Sequence, residues 1–239
     1  MSEDLGRRAE LAANLGDVRS RIATACGAAG RRPQDVTLIA VTKTWPTADC
    51  VHLRELGVVD LAENRDREAR QKAQQTLGVV GAVRWHFVGQ LQTNKARSVA
   101  SYASVVQSVD RAALVTALSQ GAVRAERVVQ VLVQVSLGAD GDPHRGGADP
   151  HLLPELADQV ESADGLVLGG LMAVAPLGDD PLPAFTRLAE LGGALVRQHP
   201  QATMLSAGMS GDLEAAILAG ATHVRVGTAL LGPRAAVLG

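Results

Sequence analysis

Eight short runs of β-forming residues alternate with seven segments of helical character, and this alternation constrains the fold more than any other feature of the chain. The predicted strands are 36–43, 58–63, 84–89, 105–109, 129–136, 167–174, 203–207 and 223–229. The predicted helices between them are 47–57, 65–77, 94–102, 111–125, 149–163, 182–199 and 211–220. Strands that alternate with helices form parallel sheets, and eight such units are the number that closes a (β/α)8, or TIM, barrel.

We expect residues 1–239 to form one domain of this kind, with an extra N-terminal helix within residues 1–30 packed on the barrel. The chain length suits a single barrel, and no low-complexity linker divides it. Residues spaced by three or four predict the buried face of the extra helix, namely Leu5, Ala9, Ala12, Leu15, Val18 and Ile22. An open doubly wound sheet is the alternative, but no GxGxxG follows the first strand.

Charge and composition exclude several classes of protein. The net charge of −2 and the scarcity of aromatic residues argue against nucleic-acid binding. No apolar run is long enough for a membrane span, and the N-terminus lacks a signal-peptide pattern. Cys26 and Cys50 form no CxxC pair, and no HExxH or complete calcium loop occurs, so we expect no disulfide and no metal site. We therefore expect a cytoplasmic protein.

A lysine ends the first predicted strand, in the stretch VTLIAVTKTWP from Val36 to Pro46. The carboxyl ends of barrel strands form the ligand-binding face, so Lys43 is a candidate for a reactive amine. Partial burial would lower the pKa of such an amine and allow it to attack a carbonyl group. An ordinary lysine that reaches solvent fits the same position, and position alone does not separate the two interpretations.

The segments after the seventh and eighth predicted strands have the features of a phosphate site. Ser210 is a plausible N-cap for a helix that starts at Gly211, and Gly227 and Thr228 follow the last strand. Arg225 is a charged residue in an otherwise apolar strand and needs a partner. Barrels often bind phosphate with the loops after strands seven and eight. A capped helix without a ligand is the alternative interpretation.

The second predicted strand ends in polar residues, and the third contains a histidine. Glu63 and Asn64 could orient Lys43 or cap the following helix. His86 lies between Trp85 and Phe87, and a lone histidine in an apolar strand is expected to be a hydrogen-bonded core residue.

Five motifs in the same order along the chain resemble the pyridoxal phosphate (PLP) homeostasis protein family. They are LIAVTKTWP, LAENR, WHFVGQLQTNKAR, GLMAVAP and LSAGMSGDLEAAILAGATHVRVGTALLGPR. The resemblance implies a barrel similar to the N-terminal domain of alanine racemases, with PLP bound as an aldimine to a lysine that corresponds to Lys43. It further implies phosphate contacts from Ser210, Gly227 and Thr228, and Arg225 facing the pyridine nitrogen. Three further pocket neighbours are implied: Asn64, Ser206 and Met209.

The resemblance also implies a function without catalytic turnover. Members of the family bind PLP and buffer or deliver it, so the expected partners are PLP and PLP-dependent apo-enzymes, and we expect a monomer. Alanine racemases use a second domain and a tyrosine as the opposing acid–base group. Tyr102 lies in no corresponding motif, and few residues follow Gly232.

Two alternatives remain open from the sequence. A PLP-dependent racemase or decarboxylase would use the same lysine with an opposing base. A cofactor-free barrel could bind a phosphorylated metabolite and use Lys43 as an aldolase-type amine.

The sequence departs from relatives in the loop 138–149, where His144 and Arg145 stand before Gly146 in place of a lysine.

Overall fold

A computed structural model describes residues 2–137, 146–176 and 178–233. The strands are β1 (Thr37–Val41), β2 (Asp60–Glu63), β3 (Arg84–Phe87), β4 (Val105–Val109), β5 (Val129–Gln134), β6 (Leu166–Met172), β7 (Met204–Ser206) and β8 (His223–Val226). The helices are α1 (Ser2–Ala28), α2 (Thr47–Glu55), α3 (Asp66–Thr76), α4 (Thr93–Ala100), α5 (Ala112–Arg124), α6 (Leu153–Glu161), α7 (Pro181–Gln198), α8 (Leu213–Leu218) and α9 (Thr228–Leu231). Most of the loop 138–149, including His144 and Arg145, lies outside the described residues.

The eight strands form a closed parallel barrel in sequential order. β8 pairs with β1, with Arg225 opposite Ile39, and β1 pairs with β2, with Ala40 opposite Leu61. The predicted (β/α)8 barrel is therefore confirmed. Six of the eight strands were predicted to end too far along the chain, and only the ends of β2 and β4 are correct. The difference is largest for β8, which stops at Val226 because the next residues form the short helix α9.

Alternate residues of each strand face the helices or the barrel interior. In β8, Val224 and Val226 pack against the hydrophobic side of α1. The intervening Arg225 therefore points into the barrel, because successive side chains of a strand lie on opposite faces. A small apolar cluster fills part of the interior, and it consists of Val105, Leu132, Met172 and Met204. The interior also holds buried polar side chains, among them His86, Gln107, Ser206 and Arg225.

The helix α1 packs against α8 and α9, and Leu15, Val18 and Ile22 of the predicted stripe are buried. Its buried residues are spaced by four, three, four and three, and they are Leu11, Leu15, Val18, Ile22 and Ala25. Leu5, Ala9 and Ala12 of the predicted stripe are exposed. Alanines are too small to select one of two competing stripes, and the stripe that contains Leu11 buries more apolar surface. Hydrogen bonds from Asn14 to the carbonyl of Leu230 and from Arg31 to that of Ile217 attach the helix to α9 and α8.

No helix in the described part of the chain is long and apolar enough to cross a membrane. Cys26 and Cys50 are free thiols, and both are buried. Burial raises the pKa of the Cys50 thiol to about 11, so the group stays protonated.

Candidate functional site

A cleft of about 260 Å³ opens at the carboxyl ends of β1, β7 and β8. It is lined by Val41, Lys43, Trp45, Met209, Ser210, Gly211, Arg225, Gly227, Thr228 and Gly232. Six of the eight residues that the sequence indicated therefore share one cavity. The two that do not line it are Asn64 and Ser206.

Lys43 lies in a tight turn directly after β1. The N–H of Trp45 donates to the carbonyl of Thr42 at 3.1 Å, which closes the turn. Thr44 has a φ of 70°, a left-handed conformation that is strained for a β-branched residue. Its N–H donates to Glu68 of α3 at 2.6 Å, and this bond holds the strained backbone in place. The half-buried side chain of Lys43 consequently lines the cleft.

A second lysine, Lys72 of α3, lies buried beneath this turn. Its ammonium donates to the carbonyl of Thr42 at 2.8 Å and to Glu63 and Glu68, each at 2.7 Å. Burial lowers the pKa of Lys72, but the hydrogen bonds to the two carboxylates outweigh burial, and the pKa lies above its usual value. Because all three N–H groups are used, Lys72 fixes the backbone that carries Lys43.

Glu63, at the end of β2, completes this support. It accepts the hydroxyl of Thr42 at 2.7 Å as well as the ammonium of Lys72. Within the described residues its second oxygen is buried without a hydrogen-bond partner. Burial raises the pKa of Glu63 above its usual value and outweighs the neighbouring ammonium. Glu63 thus contacts the residue that precedes Lys43 and orients the turn from below.

Ser210 does not cap a helix. The helix α8 begins only at Leu213, so the predicted N-cap role of Ser210 is wrong. Residues 210–212 form a turn instead, after Gly208, whose φ of 86° and close approach to Ala216 require glycine. The hydroxyl of Ser210 accepts the N–H of Ala229 at 3.2 Å. This bond joins the loop after β7 to the loop after β8.

Two carboxylates near this turn form hydrogen bonds or ion pairs with other parts of the protein. Asp212 accepts the N–H of Met209 at 2.5 Å, and Glu214 forms a bidentate ion pair with Arg21 of α1 at 2.7 and 2.9 Å. Arg21 also donates to the carbonyl of Ser210 at 2.9 Å. Both carboxylates are therefore engaged in contacts with the protein.

Arg225 is the charged group at the floor of the cleft, and only 4% of its surface is exposed. It donates to the hydroxyl of Ser206 at 2.8 Å and to the carbonyl of Ala173 at 2.9 Å. Burial lowers its pKa to about 10, so the guanidinium remains charged at neutral pH. Ser206 is fully buried below Arg225 and supports it without lining the cleft.

Arg7 of α1 contacts Trp45, which forms part of the wall of the cleft. Arg7 lies over the ring of Trp45, 4.5 Å from the ring centroid, and pairs with Asp49 of α2 through two hydrogen bonds. It also donates to the carbonyl of Leu231 at 3.0 Å. A cation over an aromatic face is attractive, so these contacts restrain the Trp45 ring that lines the cavity.

Asn64 and Met209 differ in their relation to the cleft. Met209 lines it and is partly exposed. Asn64 follows β2 and is absent from the lining, although its side-chain oxygen is buried without a hydrogen-bond partner in the described part of the chain. Its backbone lies so close to Gly89 that a Cβ at that glycine would be 2.1 Å from the Asn64 carbonyl oxygen.

Tyr102 lies on the outer side of the barrel. Its hydroxyl contacts Asp66 at 3.3 Å, and its ring lines a separate cleft together with Trp85 and Arg127. A further cleft of about 500 Å³ at the amino ends of the strands is larger than the site but contains no amine beside an anion-binding loop. The chemistry of the lining, and not the volume, selects the cleft around Lys43.

Sequence reasoning missed three of the basic residues that shape the site. Lys72 and Glu68 are four residues apart, a spacing that is typical of an exposed helical ion pair and so conceals the burial of Lys72. Arg7 and Arg21 contact residues more than 180 positions away, at Leu231 and Ser210. No local pattern signals contacts of this range.

The chain is similar to known proteins over nearly its full length. The alanine racemase N-terminal domain family matches residues 13–235. The pyridoxal phosphate homeostasis protein of Mycobacterium tuberculosis is 44% identical, with 95% of this chain and 94% of the relative covered. The structure of PipY from Synechococcus elongatus with PLP bound matches with a TM-score of 0.78 and 32% identity, and covers 93% of this chain and 100% of PipY.

Alanine racemases are more distant. The enzyme of Corynebacterium glutamicum shares 17% identity at a TM-score of 0.65, with 97% of this chain and 63% of that enzyme covered, which supports the barrel fold alone. The close relatives take their name from homeostasis and not from a catalysed reaction. From the full-length match and this level of identity, the chain belongs to the pyridoxal phosphate homeostasis protein family, built on the alanine racemase N-terminal domain.

Proposed function

We propose that this protein binds PLP and takes part in intracellular PLP homeostasis, by buffering or delivering the cofactor without turnover. Residues 1–239 would act as one PLP-binding domain. One observation carries the proposal: an amine (Lys43), an anion-binding pair of loops (Ser210 and Thr228) and a buried guanidinium (Arg225) line a single cleft. PLP has an aldehyde, a phosphate and a ring nitrogen to match these three groups. The PLP-bound structure of the relative PipY supports the same conclusion.

The donors at the loop end of the cleft fit a phosphate. The hydroxyl oxygen of Ser210 accepts the N–H of Ala229, so its own hydrogen remains to donate to an anion. The N–H of Thr228 starts α9 and has no acceptor within that helix. Gly211 and Gly227 add no side chains that would fill the space. We therefore assign the phosphate to Ser210, Gly227 and Thr228.

We further propose that PLP is linked covalently to Lys43. The neutral amine of Lys43 adds to the aldehyde carbon, a molecule of water leaves, and a carbon–nitrogen double bond joins the side chain to the cofactor. The reaction is reversible by water, as a carrier requires. The fixed turn around Thr44 and Lys72 supports this role because it restricts where the amine can lie.

Arg225 favours binding over catalysis. PLP supplies an electron sink to enzymes when its ring nitrogen is protonated. Arginine only donates hydrogen bonds, so a ring nitrogen that faces Arg225 accepts one and stays unprotonated. Met209 borders the same cavity, Ser206 lies behind Arg225, and we retain Asn64 as a pocket neighbour on the β2 side.

Absorbance and chemical trapping test the proposal. Purified protein with added PLP should be yellow, and borohydride should fix a phosphopyridoxyl group on Lys43 that peptide mass mapping locates. Lys43→Ala should lose the colour and the adduct, whereas Lys95→Ala, at an exposed lysine on α4, should keep both. A colourless wild-type protein, or an adduct that persists in Lys43→Ala, contradicts the proposal.

The same preparation separates the alternatives. Racemisation or decarboxylation of an amino acid that disappears in Lys43→Ala would indicate an enzyme. A colourless protein that traps a phosphorylated ketone under borohydride would indicate an aldolase-type site.

We also propose a cytoplasmic monomer that passes PLP to apo-enzymes. Two buried free thiols, Cys26 and Cys50, support a reducing compartment. Light scattering at several concentrations tests the monomer, and recovery of activity by an apo-enzyme mixed with the loaded protein tests delivery. A concentration-dependent mass, or recovery no faster than with an equal amount of free PLP, contradicts these two proposals.

A further inference from the structure

A continuous chain of hydrogen bonds crosses the barrel interior behind the cleft, and five strands each contribute one residue. Arg225 of β8 donates to Ser206 of β7 at 2.8 Å, and Ser206 donates to Gln107 of β4 at 2.7 Å. Gln107 bonds to Nδ1 of His86 on β3 at 2.8 Å. His86 Nε2 bonds to Asp60 of β2 at 2.8 Å. We call these five residues the core relay.

We propose that Gln107, with His86 and Asp60 behind it, is a positioning residue that holds Arg225 against the PLP ring through the core relay. The identity of the ligand as PLP in this proposal rests on the proposed function. Gln107 itself is fully buried and does not line the cleft, so it acts only through Ser206 and Arg225.

The two ends of the core relay together set the direction of its bonds. Arg225 only donates and the carboxylate of Asp60 only accepts, and in the arrangement that serves both ends the Ser206 oxygen accepts from Arg225 and its hydrogen goes to the carbonyl oxygen of Gln107. The amide NH₂ of Gln107 then faces Nδ1 of His86, which must be an acceptor. The imidazole proton therefore lies on Nε2, where it donates to the carboxylate of Asp60.

The opposite orientation of the Gln107 amide would break the core relay. Its carbonyl oxygen would then face Nδ1 of His86 and require a proton there. A neutral imidazole would be left with a bare Nε2 against the Asp60 carboxylate. Burial lowers the pKa of His86, so the doubly protonated ring that could serve both neighbours is disfavoured. One arrangement satisfies all five groups, and a network of this kind resists rotation of each member.

This order constrains Arg225. One terminal nitrogen is held by Ser206 and the other by the carbonyl of Ala173, which sets the plane of the guanidinium. Both acceptors are neutral, and Ser206 would be free to rotate without Gln107. Loss of Gln107 therefore releases one of the two bonds that define the direction in which Arg225 presents its remaining N–H groups to the cleft.

The ligand-free protein provides the first test. Slow exchange of the Arg225 side-chain N–H groups, and imidazole ¹⁵N shifts typical of a proton on Nε2 of His86, are expected by NMR in the wild type. Gln107→Leu should speed the exchange by about tenfold or more, as expected for a lost hydrogen bond to a charged group. Gln134→Leu is the matched control: it makes the same change on the neighbouring strand β5, where the side chain donates to the carbonyl of Gly146 and contacts no member of the core relay in the described residues. Unchanged Arg225 signals in folded Gln107→Leu overturn the proposal, whatever the protein binds.

The PLP-loaded protein provides the second test. In Gln107→Leu, borohydride should still fix the cofactor on Lys43. The pH at which the visible band changes should shift, and PLP should bind about tenfold more weakly. A purely structural role would lower thermal stability and leave the pH midpoint of the band unmoved, which would overturn the proposal. Failure of the wild type to bind PLP would instead count against the proposed function, since the NMR test does not depend on the ligand.

Discussion

Two buried cations lie near the cleft, Lys72 beneath the turn after β1 and Arg225 at the cleft floor, and their hydrogen-bond acceptors differ in charge. Lys72, below the turn that carries Lys43, has two carboxylates and a carbonyl as acceptors, and every one of its N–H groups is used. Arg225 has a hydroxyl and a carbonyl, both neutral, for a group with five N–H donors. Both residues are about 4% exposed.

The difference separates a structural charge from one that is available to a ligand. A buried ion whose charge is balanced by the protein holds neighbouring elements together. Removal of one partner leaves the remaining charges buried and unpaired. A buried ion with neutral acceptors keeps donors for something that enters the site. Burial and the sign of the charge are alike in the two cases, whereas the acceptors include two carboxylates at Lys72 and are neutral at Arg225. Four measurements test this difference between Lys72 and Arg225.

The largest effect is expected at Lys72. Lys72→Met leaves Glu63 and Glu68 without their cation, and we expect the free energy of unfolding to fall by about 3–5 kcal/mol in urea denaturation. Lys95→Met, at an exposed lysine of α4, should change it by about 0.5 kcal/mol or less. A loss below about 1 kcal/mol for Lys72→Met would show that the buried ion pairs do not stabilise the turn.

The second effect is a loss of stability in acid that is caused by a buried histidine. This residue is His223, which lies on β8, the strand that carries Arg225. Burial lowers the pKa of His223 to about 4, and the nearby His86 adds to the shift. In the unfolded chain the pKa is about 6.5, so between these values only the unfolded state binds the proton. Stability is therefore retained above about pH 6.5 and is lost as the pH falls towards 4, by about 2–3 kcal/mol.

Urea denaturation at several pH values between 7 and 4 measures this loss. His223→Gln should flatten the pH dependence relative to wild type, and His151→Gln, at an exposed histidine, should not. Equal pH slopes in wild type and His223→Gln would mean that His223 is not the group responsible.

A smaller effect is expected at Arg225 itself. Arg225→Met loses two hydrogen bonds but also removes the cost of burying the charge, so we expect a loss of about 1–2 kcal/mol in urea denaturation. Stability should change less than in Lys72→Met. A loss as large as that of Lys72→Met would show that Arg225 is as structural as the lysine, and the comparison would fail.

The smallest effect is expected at Arg21, a cation paired at the surface. Arg21→Ala removes the ion pair to Glu214 and the bond to the Ser210 carbonyl, and both side chains of the pair are at least one-third exposed. We expect a loss of about 0.5–1 kcal/mol that shrinks at 1 M salt. The same urea series at low and high salt measures it, and a larger, salt-independent loss would indicate that α1 supports the loop by packing.

Much of the fold follows from patterns within short segments. Each predicted strand is present because four to eight β-forming residues lie between helical segments, as in the run that ends before Lys43. His86 is the hydrogen-bonded core residue that its apolar neighbours predicted. The wrong predictions also have local causes. The N-cap at Ser210 was wrong because a turn of three residues precedes α8, and the first half of the stripe on α1 was wrong because alanines define a face poorly.

Local sequence patterns are sufficient to predict the alternation of strands and helices and, with it, the residues that stand at the carboxyl ends of the strands. They do not predict which buried charges are balanced by carboxylates and which have only neutral acceptors. Closure of the barrel places Arg225 opposite Ile39, and the core relay joins Ser206 to Gln107 across 99 residues. Local periodicity reflects which side of an element is apolar, whereas the partner of a buried polar group depends on contacts between distant segments. The role of each cation is set by those partners.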